Sequence, residues 1–77
     1  MTKKEIKARV KELLATSKIS DIKVSIDDRY IEVYVLTNWG GDAYSLAHYR
    51  YYQHKLLSVK GDLMFHEIIA MSNLFEN

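Results

Sequence analysis

Cysteine and proline are absent from the 77-residue chain, and glycine occurs only three times. The absence of cysteine excludes disulfides, a thiolate nucleophile and a cysteine-based zinc site. No apolar run approaches the roughly 20 residues that a bilayer-spanning helix needs. Residues 1–14 are charged throughout and lack the apolar core of a signal peptide. These absences predict a single small globular domain, residues 1–77, in a reducing cytoplasm.

The composition is that of an ordinary globular domain, with 48% hydrophobic and 27% charged residues. A chain of this length buries only a modest core, and it has no disulfide to add stability. Association with another chain is the remaining route to stability. We therefore expect a homo-oligomer, most simply a homodimer.

Charge is distributed unevenly along the chain, although the net charge is only +1. Residues 1–23 carry seven cations and three anions, whereas the remainder carries four cations and seven anions. Such asymmetry is typical of a surface for nucleic acid or an acidic partner, and it is equally typical of a solvated helix face. Both interpretations stay open at this point.

Local patterns predict a helix and then a hairpin in the first half of the chain. Thr2 and Glu5 have the spacing of a capping box, and apolar residues follow at helical spacing, which predicts a helix over about residues 3–16. Alternation of apolar and polar residues over 22–26 and 30–36 predicts two antiparallel strands joined by an acidic turn.

The second half is predicted to be helical. Residues 43–59 follow a glycine-containing loop and contain neither glycine nor proline, so we expect a second helix there. Gly61 can end it in a left-handed conformation, and Asp62 can cap a third helix over 62–75. A third strand near 58–65 is the alternative. The expected fold is α+β and two-layered, in the order α-β-β-α-α, with helices covering the hairpin.

The stretch LAHYRYYQHK, residues 46–55, is the first candidate for a functional surface. At about 100° per residue, a helix here gathers tyrosine, histidine and lysine side chains on one side, and further tyrosines lie on the polar side of the predicted hairpin. Because tyrosine is enriched at protein interfaces, we predict a surface for a protein partner. Its residues are Tyr30, Tyr34, Tyr44, His48, Tyr51 and Lys55. The alternative is that the rings are half-buried and only their hydroxyls reach water.

The predicted last helix is apolar nearly all round, which indicates burial on more than one side. We predict self-association through one of these sides. Its residues are Met64, Ile68, Met71 and Phe75. The alternative is that the helix folds entirely into the core of its own chain.

Nucleic-acid binding is the second functional hypothesis. In this hypothesis the exposed tyrosines stack on bases while the basic first helix and an arginine contact phosphates. The candidate cations are Lys4, Lys7, Lys11 and Arg50. Two observations oppose it: Glu32 lies between Tyr30 and Tyr34, and the isoelectric point of about 8.0 is low for a dedicated nucleic-acid binder.

Nothing in the sequence indicates catalysis, a metal site or a cofactor. His48 and His54 are six residues apart and would not share a helix face. The NWGGD loop lacks the spacing of a phosphate-binding loop, and no serine stands in a nucleophile elbow. In its shortness alone, the chain resembles small proteins of phages and mobile elements, and this resemblance implies action on a host protein. We expect a non-enzymatic cytoplasmic interaction protein.

Overall fold

The structure is a computed structural model that describes residues 1–76 and has two helices and four strands. The elements are α1 Lys3–Leu13, β1 Ile19–Ile26, β2 Tyr30–Gly40, β3 Ala43–Tyr52, β4 Lys55–Gly61 and α2 Phe65–Ser72. The strands form one antiparallel sheet in the order β1-β2-β3-β4. The predicted α+β class is confirmed, but the order along the chain is α-β-β-β-β-α and the sheet has four strands.

Helix α1 begins as its capping box predicts. The Glu5 N–H donates to the Thr2 hydroxyl at 3.1 Å, and the Thr2 N–H donates to the Glu5 carboxylate at 2.9 Å. These bonds satisfy amide groups that have no partner within the helix. The bond from the Thr2 N–H also holds the pKa of the Glu5 carboxyl below its ordinary value. The helix ends at Leu13, three residues before the predicted end.

The predicted first hairpin is present and is longer than expected. Strand β1 begins three residues before the predicted range, and β2 continues four residues beyond it. The Asp27 carboxylate closes the turn by accepting the N–H groups of Tyr30 and Arg29. The same two bonds lower the pKa of Asp27.

The predicted helix over residues 43–59 is wrong, because this stretch forms the hairpin of β3 and β4. Burial of Ala47, Tyr49 and Tyr51 alternates with partial exposure of His48 and Arg50, and a period of two identifies a strand. Gln53 and His54 adopt left-handed conformations, with φ of 51° and 65°, and together make the two-residue turn.

The end of the chain agrees only in part with the predicted helix over 62–75 and with the alternative strand near 58–65. Strand β4 ends at Gly61, so the alternative of a strand near 58–65 holds only for its first part. Helix α2 spans Phe65–Ser72 and is therefore shorter than the predicted range 62–75. Within residues 1–76, neither helix is long and apolar enough to cross a membrane.

Both helices pack against one face of the sheet, and the core lies between these two layers. The core side chains come from both helices, from their flanking turns and from the inward face of β1, β2 and β3. They are Ile6, Val10, Leu14, Ile22, Val24, Val33, Val35, Ala47, Tyr49, Tyr51, Met71 and Leu74. The opposite face of the sheet is left uncovered by this arrangement.

Candidate interaction surface

We call the sheet face opposite the helices the open face. Successive side chains of a strand point to opposite faces, so the residues between the buried core positions belong to the open face. The pairing registers arrange these residues in rows across the four strands. The open face consists of Asp21, Lys23 and Ser25 on β1; Tyr30, Glu32, Tyr34 and Leu36 on β2; Tyr44, Leu46, His48, Arg50 and Tyr52 on β3; and Lys55, Ser58 and Lys60 on β4.

Two stacked rings occupy the middle of the open face. Tyr34 and His48 pair directly across β2 and β3, with ring centroids 4.3 Å apart and ring planes 9° apart. Lys23 pairs with Tyr34 and Lys60 pairs with His48, so each edge of this row ends in a lysine. Nε2 of His48 is buried 3.8 Å from Glu32 Oε1 and has no hydrogen-bond partner within residues 1–76.

The neighbouring row contains an ion pair at the centre of the sheet. Nε and Nη2 of Arg50 lie 2.9 Å and 2.8 Å from Oε1 of Glu32. The guanidinium carbon lies 5.0 Å from the centroid of the Tyr30 ring. The Tyr34 hydroxyl donates to Glu32 Oε2 at 3.2 Å. Partial burial, together with the Glu32 charge, raises the pKa of Tyr34. Contacts with Glu32 and Arg50 therefore hold the Tyr34 and Tyr30 rings in place.

One end of the open face is apolar. Leu36 and Leu46 pair across β2 and β3, and Tyr44 lies beyond them toward the tip of that hairpin. Leu46 is 53% exposed and Tyr44 is 51% exposed. A depression of about 340 Å³ beside them is lined by Asp21, Lys23, Tyr34, Leu36 and Leu46. Exposed apolar side chains next to fixed rings are typical of binding surfaces.

Five of the six residues predicted to bind a partner lie on the open face: Tyr30, Tyr34, Tyr44, His48 and Lys55. The sixth, Tyr51, points into the core and is 1% exposed. Its hydroxyl donates to the Met71 carbonyl at 2.7 Å, and burial raises the pKa of Tyr51. Tyr51 is therefore not part of the surface.

Sequence reasoning missed Leu46 and Lys60, two of the residues that the register adds to this surface. The signal that could have found Leu46 was the alternation within residues 43–52, where every second side chain points outward. Lys60 required knowledge that residues 55–61 form a strand. Positions 44 and 48 share a side in a helix and also in a strand, so they were grouped correctly despite the wrong element.

The residues predicted for self-association are mostly covered within the chain. Met71 is fully buried and Ile68 is half-buried. The Phe75 ring packs edge-on against Tyr51, with centroids 5.2 Å apart, and stacks on His54 at 4.8 Å. These contacts place most of the predicted set in the core or at its border.

The exposed apolar side of α2 is a different set of residues. Met64, from the predicted set, is 52% exposed, and it is joined by Phe65 at 76% and Ile69 at 52%. Phe65 and Ile69 are one helical turn apart and lie on the same side. We call Met64, Phe65 and Ile69 the outer side of α2.

The cations predicted to contact nucleic acid do not form one surface. Lys4, Lys7 and Lys11 are exposed on α1, which lies on the other side of the sheet from the open face. Arg50 is on the open face and is paired with Glu32. A ligand on the open face would therefore not reach the basic helix.

A metal site is a further possibility that the geometry tests. Within the described residues, no group of three or more histidine, aspartate and glutamate side chains could hold a metal ion. Comparison with protein-family models, curated proteins and solved structures finds no match for the chain. Its functional site therefore has to be inferred from the surface of the molecule.

Proposed function

We propose that the protein is a non-catalytic binding module that holds a protein partner on its open face. The observation that carries this proposal is the stacked pair of Tyr34 and His48 beside the exposed Leu46, uncovered by either helix. Rings that are already held in place lose little conformational freedom on binding. When a partner removes an exposed leucine side chain from water, the free energy of the complex falls.

The open face is large enough for a stable protein complex. Four strands about 4.8 Å apart make a face roughly 19 Å wide. The molecule is 37 Å long. A standard interface buries about 800 Å² on each partner, so a partner that covered most of the open face would approach this size.

The orientation of the rings supports a protein partner over nucleic acid. Base stacking needs an aromatic face that is open to the ligand. Tyr34 and His48 each turn one ring face toward the other, and Arg50 lies over the Tyr30 ring. In addition, the ion pair with Glu32 engages the Arg50 guanidinium, a cation that a phosphate-binding surface would need free.

Affinity capture with matched surface variants tests this function. The double variant Tyr44→Ser/Leu46→Ser removes the apolar end of the open face. The control Phe65→Ser removes an exposed aromatic side chain from the opposite layer. Each immobilised protein, checked for folding by circular dichroism, is exposed to lysate with and without prior nuclease treatment.

We expect a protein that the wild type and Phe65→Ser retain and that the double variant loses. Equal capture by all three proteins would show that the open face is not the binding surface. Loss of the captured material on nuclease treatment would favour nucleic-acid binding instead.

We also propose that the protein forms a homodimer through the outer side of α2. Phe65 is the most exposed large apolar side chain of residues 1–76, and Met64 and Ile69 extend the same patch. Sedimentation equilibrium at tens of micromolar should show a dimer for the wild type and a monomer for Phe65→Ser. A wild type that stays monomeric under these conditions contradicts this part of the proposal.

A further inference from the structure

The two anions of the open face are both engaged by groups of the same chain. Oε1 of Glu32 is bound by the Arg50 guanidinium, and its other oxygen accepts the Tyr34 hydroxyl. The Asp21 carboxylate accepts the N–H of Ile22 at 2.9 Å. Glu32 is therefore neutralised by Arg50, whereas Asp21 keeps its charge and is outnumbered by the lysines of the face.

Three cations of the open face are in the opposite situation. Lys23, Lys55 and Lys60 form no ion pair within residues 1–76. Lys23 stands on the first strand of the sheet, and the other two stand on the fourth. The face therefore has unpaired lysines at both edges, with Asp21 also at the β1 edge, around a middle of aromatic rings and one ion pair.

The spacing of two of these lysines matches an extended peptide. Lys23 and Lys60 stand at the two ends of the row that contains the stacked rings. The two lysines are separated by three interstrand spacings, a distance of about 14 Å. An extended chain advances about 3.4 Å per residue, so side chains four residues apart are separated by about the same distance. They also point in the same direction, as does the residue midway between them.

We propose that the open face recognises an acidic segment of its protein partner, with the pattern Glu-x-Φ-x-Glu, where Φ is a large apolar residue. This inference rests on the proposed function and specifies the chemistry of the partner. The two carboxylates pair with Lys23 and Lys60. The apolar side chain lies on the edges of the Tyr34 and His48 rings, next to Leu46.

The charge pattern contributes mainly to selectivity. An exposed ion pair adds little to affinity, so most of the affinity comes from the apolar residue and its neighbours. A basic segment in the same position would meet two like charges and be rejected. Long-range attraction also speeds the encounter with an acidic partner, and salt weakens this effect.

Selection from a displayed library of random peptides tests the inference while the partner is still unidentified. The library is selected on the immobilised wild type, and peptides that also bind Tyr44→Ser/Leu46→Ser are discarded. The remaining peptides therefore depend on the open face. We expect them to be acidic and to carry two acidic residues four positions apart with an apolar residue between them.

One enriched peptide is then synthesised with a fluorescent label, and its Kd is measured by anisotropy. Charge reversal on the open face, in Lys23→Glu and in Lys60→Glu, should weaken binding about tenfold each. The matched controls Lys3→Glu and Lys4→Glu make the same change in net charge on α1. They should change Kd less than about twofold, because a Debye length of about 8 Å screens charges on the far side of the sheet.

Four results would overturn the inference. Face-dependent peptides that are neutral or basic would leave the proposed function intact but exclude an acidic partner. A selection that yields no face-dependent peptide would also exclude the acidic segment. Equal weakening by the α1 controls would assign the effect to net charge. Displacement of the peptide by single-stranded oligo-dT from the wild type but not from Lys23→Glu would identify the lysines as phosphate ligands.

Discussion

Glu67 is a carboxylate that is only 5% exposed, and it joins the two helices of the molecule. It accepts the Ser17 hydroxyl at 2.6 Å, which comes from the turn after α1. It also accepts the Met64 N–H at 3.1 Å at the start of α2. A buried charge is tolerated when it is hydrogen-bonded in this way, and its bonds are stronger than those of neutral groups.

We expect Glu67→Ala to lower the free energy of unfolding by about 2–3 kcal/mol. The change leaves the Ser17 hydroxyl and the Met64 amide without a partner and removes packed atoms between the helices. Urea denaturation followed by circular dichroism measures this loss. Glu12→Ala, at an exposed position of α1, is the control and should change stability by less than about 0.5 kcal/mol. Equal effects of the two substitutions would show that the buried carboxylate does not stabilise the fold.

Gly61 ends β4 in a conformation that no other residue type would adopt without strain. Its φ is 111°, and a Cβ at this position would overlap the carbonyl oxygen of Leu46 on the neighbouring strand. Glycine thus permits close approach of the two backbones beside the apolar end of the open face.

We expect Gly61→Ala to lower the free energy of unfolding by more than about 3 kcal/mol, because it combines an unfavourable φ with a backbone clash. Gly41→Ala is the matched control. Gly41 also has a positive φ, of 57°, but nothing lies within 4 Å of an added Cβ. Its substitution should cost only about 1–2 kcal/mol. A thermal melt of both variants compares the two losses, and similar values would contradict the proposed backbone contact.

At the scale of elements, the hairpin of β3 and β4 has an unusual turn. Two-residue turns with both residues at positive φ favour Asn-Gly, yet here the residues are Gln53 and His54. The His54 ring stacks on Phe75 beyond α2, with centroids 4.8 Å apart. The turn therefore has an unfavourable backbone conformation at His54, but its ring makes a contact between the hairpin and Phe75.

Substitutions at the two turn positions should differ in sign or size. Asn tolerates a positive φ better than Gln, and the Gln53 side chain is exposed. We therefore expect Gln53→Asn to raise the free energy of unfolding by about 0.5 kcal/mol and the Tm by about 2–4 °C. His54→Gly relieves the same kind of strain but loses the stack on Phe75, so its gain should be smaller or negative. Differential scanning calorimetry distinguishes the two. A larger gain for His54→Gly would show that the stack contributes nothing.

The same turn explains why the elements could be predicted only in part. The capping box of Thr2 and Glu5 and the alternation within 22–36 are unambiguous local signals, and both predictions are confirmed. Residues 43–59 lack a comparable signal, because a Gln-His turn contains none of the residues that usually mark turns. Without a visible break, the stretch fits a long helix.

Tyrosine obscured the pattern further, because its ring suits the core and its hydroxyl suits water. Tyr49 and Tyr51 are buried, whereas Tyr44 and Tyr52 are exposed, although all four are the same residue type. When every tyrosine is counted as the same type, the sequence of this stretch therefore shows no alternation with a period of two. The candidate surface was recovered largely because Tyr44 and His48 share a side under either period.

At the scale of the whole molecule, the two layers have different surface chemistry. The helical layer exposes the lysines of α1 and the apolar outer side of α2. The open face exposes four of the six tyrosines, while the other two lie between the layers. The division of the tyrosines gives the fold a measurable response to alkaline pH.

Burial raises the pKa of Tyr49 to about 12, and it raises the pKa of Tyr51 as well. In the unfolded chain both hydroxyls ionise near pH 10. Below this pH they are protonated in both states and add no pH dependence to stability. Above it the unfolded state has lost protons that the folded state retains, so the free energy of unfolding falls as pH rises from about 10 toward 12.

We expect Tyr49→Phe to flatten this alkaline decline, because one of the two buried tyrosines that ionise on unfolding is gone. Urea denaturation at a series of pH values measures the slope, and tyrosinate absorbance reports the ionisation itself. Tyr52→Phe removes a hydroxyl from an exposed ring and should leave the slope as in the wild type. An unchanged slope in Tyr49→Phe would mean that water reaches this hydroxyl in the folded protein, and the two layers would then not enclose a dry core.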